Sequence, residues 1–311
     1  MNSTPAAIPV RCASCKNLLL MSVSNWFETF NDSIQIPSTT VDTIASRYKR
    51  ITKQLNKDFW NTESETSHSL YVGSYGRDTD IHVSDIDFVF ELPSSEYTKY
   101  NNYTGNGQSA LLQAVKNSIE KTYNPTVMKA DGQVIQIFFT DGINYEIVPV
   151  FVNTAGSYTF PDSNNSGSWK TTNPRPEIAE IRTKNDEWNK NLKRLARMAK
   201  AWKDKWSVPM GGLLIDTMAY NFLSGWANKD KSYLYYDWMS RDFFKYLSEQ
   251  NDQQEYWLSP GARQYVWRKG NFSYKAKQCY NLALEAIEKE KTYPTTAKSK
   301  WREIYGTKFP S

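Results

Sequence analysis

A chain of 311 residues, 40% hydrophobic and 14% aromatic, can bury a sizeable core as one large domain or two lobes, and its composition excludes a disordered chain. The net charge of +5 suits anionic ligands without demanding nucleic acid. Cys12, Cys15 and Cys279 are too few and too scattered for a disulfide framework, and no apolar run reaches the ~18 residues of a membrane span, so the expectation is a soluble, monomeric, cytoplasmic protein from a reducing compartment.

Residues 1–20 differ from the rest, a Pro/Ala/Ser stretch ending in a lone C-x-x-C with no partner pair to complete a zinc site. They read as a dispensable, flexible leader, with Met21 opening a helix. From Ser38 the apolar residues Val41, Ile44, Tyr48, Ile51 and Leu55 recur at helical spacing, with Ser38 or Thr40 as cap. His68–Gly73 reads as a short strand running into the turn Gly73-Ser74, and Ile86–Leu92 as a buried strand. Asp85 and Asp87 stand two apart at its head, so their side chains share a face. Two carboxylates held side by side repel unless a cation neutralises them, and oxygen donors of this kind suit Mg²⁺ together with substrate phosphates. By itself an Asp-x-Asp is as consistent with a pair capping a turn. The Gly-Ser turn just upstream offers phosphate a bare backbone and a hydroxyl.

Glu96–Gln108 is polar and reads as a loop; Leu111, Leu112, Val115 and Ile119 mark a helix. Gln133–Phe139 and Tyr145–Val152 flank Asp141-Gly142 and read as a hairpin, with Glu146 a carboxylate that would be costly to bury unpaired. Residues 153–177 have loop composition. Beyond them the pattern is helical, with an apolar stripe (Leu192, Leu195, Ala199, Trp202) beside a basic one (Lys190, Lys193, Arg197, Lys200). Helices also fit Leu213–Leu223, Tyr233–Leu247 and Tyr274–Glu290. Trp202, Trp206, Trp226, Trp238, Trp257 and Trp267 read as core. His68 and His82 are too few and too isolated for a histidine-based hydrolase. The division is 21–180 for a mixed α+β lobe and 181–311 for a helical lobe.

Gly73-Ser74, then Asp85-x-Asp87, then Glu146 on a later strand resembles the signature of the DNA polymerase β-like nucleotidyltransferases. G-S-Y-G-R-D-T, S-D-I-D, E-I-V-P, the loop P-D-S-N-N-S-G-S-W-K-T-T-N-P and N-L-K-R-L-A-R-M-A-K-A-W-K, in that order, are similar to the bacterial cGAS/DncV-like nucleotidyltransferases. The resemblance covers roughly residues 21–311. It implies a mixed sheet with flanking helices, a C-terminal helical lobe and an active site in the cleft between them. It implies joining of nucleoside triphosphates, ATP or GTP, into a cyclic di- or trinucleotide that activates a downstream effector in antiphage defence (CBASS). Carried over by position, Asp85, Asp87 and Glu146 are the catalytic acids and ligands of two Mg²⁺ ions, with Mn²⁺ as substitute. Gly73 and Ser74 contact phosphate; Trp169, Lys170, Thr171 and Thr172 lie near base and ribose; Lys193 and Lys200 reach the triphosphate; and Tyr233, Tyr235 or Tyr236 stacks a base. Family members often carry Asp where this chain has Glu146. Two other readings stay open: a nucleotidyltransferase acting on a protein, tRNA or small molecule, and a nucleic-acid-sensing module, although no Cys/His cluster marks the zinc thumb of the animal synthase.

Overall fold

The sheet is organised on one parallel pair whose two strands carry the three acids. A computed structural model describes residues 17–83 and 85–311; Cys12 and Cys15 fall outside them. Helix α1 (Asn17–Ser33) is followed by the long α2 (Ser38–Trp60), β1 (Ser69–Tyr71) and the five-residue α3 (Gly73–Arg77). Strand β2 (Asp85–Glu91) leads to α4 (Ser94–Asn101) and α5 (Gly107–Glu120). Then come β3 (Val127–Asp131), β4 (Val134–Phe138), β5 (Asn144–Val152), β6 (Tyr158–Asp162) and β7 (Ser168–Thr172). The remainder is α6 (Pro174–Glu187), α7 (Asn191–Trp206), α8 (Gly212–Gly225), a 3₁₀ turn at Tyr233–Tyr235, α9 (Tyr236–Ser248), the hairpin β8 (Tyr256–Leu258) and β9 (Tyr265–Trp267), α10 (Ser273–Lys289) and α11 (Pro294–Tyr305).

The strand order is β1-β2-β5-β4-β3, with β6 and β7 continuing from the far end of β5. Strands β2 and β5 run parallel, and β4 and β5 form the antiparallel hairpin predicted around Asp141-Gly142. Alternation on β2 sends Ile86, Phe88 and Phe90 into a core shared with Ile44, Tyr48, Ile51 and Leu55 of α2 and Leu111, Leu112, Val115 and Ile119 of α5. That leaves Asp85 and Asp87 on the opposite face. A second core joins α7 to α11. Among the described residues no helix is long and apolar enough to cross a membrane.

Several elements depart from the sequence reading. Helix α1, placed at sequence level in the first lobe, packs Val23, Phe27, Phe30 and Ile34 into the second core, where Phe27 meets Trp301 edge-on with ring centroids 5.1 Å apart. Helix α2 starts behind Pro37 without a side-chain cap, so neither Ser38 nor Thr40 caps it. Helix α4 occupies the stretch read as loop, because Tyr97 packs between Phe151 and Trp169 and Tyr100 is buried. The loop-like 153–177 holds the β6–β7 hairpin: Tyr158 is fully buried, and the polar residues collect at its tip, where Asn165, Ser166 and Gly167 have positive φ. The helical lobe contains the β8–β9 hairpin, on which Trp267 is exposed and not core, whereas Trp202 and Trp257 are buried.

Candidate active site

The register of the parallel pair sets Asp87 opposite Glu146 and Asp85 opposite Asn144. Parallel neighbours in register project to the same face about 4.8 Å apart, so Asp87 and Glu146 stand side by side. Both are half-buried and Asp85 is exposed at the strand's start. The Gln136 amide, in register with Glu146 on β4, donates to its Oε1 at 2.7 Å. One carboxylate oxygen is thereby anchored, and a ligand would take the other.

The chain returns to these acids through β1. The Val72 amide donates to the Asp87 carbonyl at 2.9 Å, and α3 begins one residue later. At Gly73 φ is +62° and a Cβ would lie 2.0 Å from Asp87 Oδ2. Only glycine allows the backbone this close to the carboxylate. The structure therefore brings Gly73, Ser74, Asp85, Asp87 and Glu146 together, as their spacing suggested.

It adds a fourth acid that the sequence reading passed over. Asp80, half-buried, is pushed up to about 6 by burial, even though Lys200 and a hydrogen bond with Ser74 favour its charged form. Asp87 is also pushed up to about 6, by burial first and then by the charges of Glu146 and Asp85. The crowding of negative charge is the condition a divalent cation relieves, and the donors are hard oxygens. Among the described residues no closed cage of three His, Cys, Asp or Glu side chains is formed. An open face suits Mg²⁺, which takes one or two carboxylates and completes its shell with water and substrate phosphates.

Behind α3 lies a buried ionic cluster. Asp216 of α8 is fully buried and accepts from Arg77 Nε and Thr79 Oγ1, both at 2.8 Å, while Lys200 Nζ stands 3.2 Å from its other oxygen. Arg77 Nη1 donates to Glu177 at 2.7 Å. Burial alone would push the Asp216 carboxyl up, but Lys200, Arg77 and the hydrogen bonds outweigh it and hold it below the ordinary carboxylate range. The cluster ties the Gly-Ser helix to α6, α7 and α8.

The other predicted residues divide. Lys200 is buried in that cluster, 2.7 Å from Thr79 Oγ1, and does not line the cleft beside Lys193. Lys193 and Arg197 face the cleft and meet Asp78, the residue that caps α3. Tyr236 is no platform for a base: it is buried and its hydroxyl donates to Asn191 at 2.6 Å. Tyr235 packs edge-on against Trp238. Tyr233 is half-buried under the Arg194 guanidinium, 4.7 Å from its ring centre, and lines a cleft of about 320 Å³ with Lys193, Arg197 and Asp78. Lys170, Thr171 and Thr172 lie on β7, paired to Phe160, Thr159 and Tyr158 of β6. That hairpin joins the far end of β5 from Glu146, and Lys170 is ion-paired with Asp162. Trp169 packs on Tyr97 and Phe151.

This is the arrangement of a DNA polymerase β-like nucleotidyltransferase core with a helical lobe behind it. The chain belongs to the family of the Second Messenger Oligonucleotide or Dinucleotide Synthetase domain (SMODS), whose sequence model matches residues 21–185. It is 25% identical over 186 residues to a "Probable cyclic nucleotide synthase" of Bacillus cereus, covering 54% of this chain and 52% of that one, so the chain spans about half the length of that relative. Its fold is shared with Escherichia coli CdnC solved with ATP, at TM-score 0.66 and 14% identity over 93% of this chain and 99% of that one. Bradyrhizobium diazoefficiens CdnG in complex with GTP gives TM-score 0.63 at 10% identity, covering 94% and 95%. Vibrio cholerae DncV cyclic AMP-GMP synthase, solved with a linear intermediate, gives 0.59 at 13%, covering 94% and 88%.

Proposed function

We propose that the protein is a cyclic oligonucleotide synthase that joins nucleoside triphosphates, ATP or GTP, into a cyclic di- or trinucleotide with release of pyrophosphate. The observation that carries this reading is the contact of Gly73 with Asp87, beside Glu146 in register. It presses a phosphate-binding turn against paired carboxylates.

In the first transfer the Gly73-Ser74 turn and Lys193 hold the triphosphate of the donor, and the acids lie along its α-phosphate. Two Mg²⁺ ions held by Asp85, Asp87 and Glu146 would neutralise the phosphates and lower the pKa of the attacking hydroxyl, a task Mn²⁺ can also perform. The ribose hydroxyl oxygen of the acceptor attacks the α-phosphorus in line, a new P–O bond forms, and the bond to pyrophosphate breaks. Glu146 takes the hydroxyl proton. Most of the acceleration comes from positioning and charge neutralisation. The linear product then turns round, and a second transfer with loss of a second pyrophosphate closes the ring.

Support comes from the family and from the relatives solved with ATP, GTP and a linear intermediate. Tyr233, in the cleft with Lys193 and Arg197, fits a base-stacking role; for Lys170, Thr171 and Thr172 a role near the acceptor base or ribose rests on the family resemblance alone, since their hairpin joins the far end of β5. The reading extends to a signal that acts on a separate effector in antiphage defence, made by a monomer in the cytoplasm. The test is mass spectrometry of the products formed from all four nucleoside triphosphates with Mg²⁺ or Mn²⁺. Cyclic product is expected from the wild type and none from Asp85→Asn with Asp87→Asn. Linear or acceptor-linked products alone would refute cyclisation, and turnover by the double variant would refute the site.

A further inference from the structure

The hairpin β8–β9 presents to solvent an aromatic face that neither core uses. Alternation along its strands sends Trp257 and Val266 into the second core and leaves Tyr256, Tyr265 and Trp267 outside, 41%, 62% and 57% exposed. The exposed rings touch one another. Tyr256 lies 4.6 Å from Tyr265 and 5.4 Å from Trp267 between ring centroids, and Tyr265 lies 6.0 Å from Trp267. The hairpin beneath them is held at both ends. Arg268 donates to the Gln254 and Asn251 carbonyls at 2.8 Å and sits over the rings of Trp257 and Phe272. At the turn a Cβ on Gly261 would stand 2.1 Å from the Pro176 carbonyl oxygen of α6. Rings fixed in this way lose little freedom when a partner covers them, and a contiguous exposed aromatic surface marks an interaction site.

Charge identifies the partner. The alternation continues past the strand ends: Arg263, Tyr265, Trp267 and Lys269 are exposed, while Gln264, Val266 and Arg268 between them are half-buried or buried. Cation, ring, ring and cation thus follow at every second residue, about 6.6 Å apart where the strand is regular. Neither Arg263 nor Lys269 is ion-paired among the described residues. Of the nearby carboxylates, Asp252 is engaged by Ser273 at 3.0 Å and Arg268 at 3.7 Å, and Glu255 is out of phase with Tyr256. A second copy seated on this face would set cation against cation. An acidic peptide would satisfy the cations alone, and a duplex hides the faces of its bases. A single strand of nucleic acid brings a flat π surface and a negative charge at every step.

We propose that the solvent face of the β8–β9 hairpin binds single-stranded nucleic acid, with bases stacked on Tyr256, Tyr265 and Trp267 and the phosphates drawn to Arg263 and Lys269. This surface is separate from the carboxylates of β2 and β5, and the proposal holds whether or not the chain makes a cyclic product.

The probe is a fluorescein-labelled oligothymidylate of about twelve nucleotides, long enough to cover a face of this kind. Binding is read by fluorescence anisotropy with EDTA present. Tyr265→Ala with Trp267→Ala should weaken it by about twentyfold or more, whereas Trp267→Phe, which keeps a ring, should retain most of it. Arg263→Gln with Lys269→Gln should flatten the slope of log K against log salt by about 1.4. All four side chains are exposed, so each variant should keep the wild-type Tm. Equal binding by the double alanine variant, an unchanged salt slope, equal affinity for a duplex of the same length, equal displacement by polyglutamate, or no binding by the wild type would overturn the proposal. A concentration-dependent dimer that the alanine variant loses would overturn it too, by assigning the face to a second copy.

Discussion

Asp216→Asn tests the link between the two lobes most directly. The native carboxylate is fully buried, with Arg77 at 2.8 Å and Lys200 at 3.2 Å. At an effective dielectric near 20, each attraction is worth about 5–6 kcal/mol before desolvation is charged against it. Arg77–Lys200 repulsion and the desolvation of three ions consume much of that sum, so the pairs are no measure of net stability. Removing the anion alone is different, because it strands two buried cations whose remaining hydrogen-bond partners among the described residues are Glu177 and Thr79. The expected loss is about 3–5 kcal/mol, or roughly 5–15 °C in Tm. Thermal denaturation followed by tryptophan fluorescence reads it, and Arg77→Gln completes a double-mutant cycle with an expected coupling of about 1–3 kcal/mol. A Tm drop below about 2 °C, or strict additivity, would refute the account. The pH sign follows from the lowered carboxyl: its ordinary value is 3.8 and the folded value lies below that. The stabilisation is complete above the unfolded pKa and is lost as pH falls through the folded one. Wild-type Tm should therefore fall at acid pH more steeply than that of Asp216→Asn.

Three further outcomes are expected. Gly73→Ala puts a methyl group 2.0 Å from Asp87 Oδ2 on a left-handed backbone; it should cost about 1–3 kcal/mol and nearly all product formation, checked by Tm and mass spectrometry. Tyr236→Phe should cost about 1–2 kcal/mol of stability through the stranded Asn191 and leave the KM for nucleotide unchanged. Tyr233→Ala should do the reverse, raising KM with little change in Tm; equal effects of the two substitutions would remove Tyr233 from the base site.

Local pattern was enough for the three acids and the turn. A two-residue period places Asp85 and Asp87 on one face, an Asp-Gly hairpin delivers β5, and Gly-Ser precedes both. The helical face of α7 could also be read from its 3.6-residue period. Tertiary packing decided the rest. Helix α4 and the β6–β7 hairpin form from polar, turn-rich sequence because Tyr97, Tyr100 and Tyr158 find apolar partners distant in the chain. Asp80 joins the acids only because α3 folds back on β2, and no periodicity announces that.

The basic stripe shows the division most sharply. Sequence alone determined that Lys193, Arg197 and Lys200 lie along one side of a helix, since spacing of three and four residues does so in any α-helix. It could not say that Lys200 is sealed behind α3 by Asp216 while Lys193 and Arg197 face the cleft and Asp78. That depends on where α8 and α3 dock, and burial, not spacing, decides which cations face the cleft.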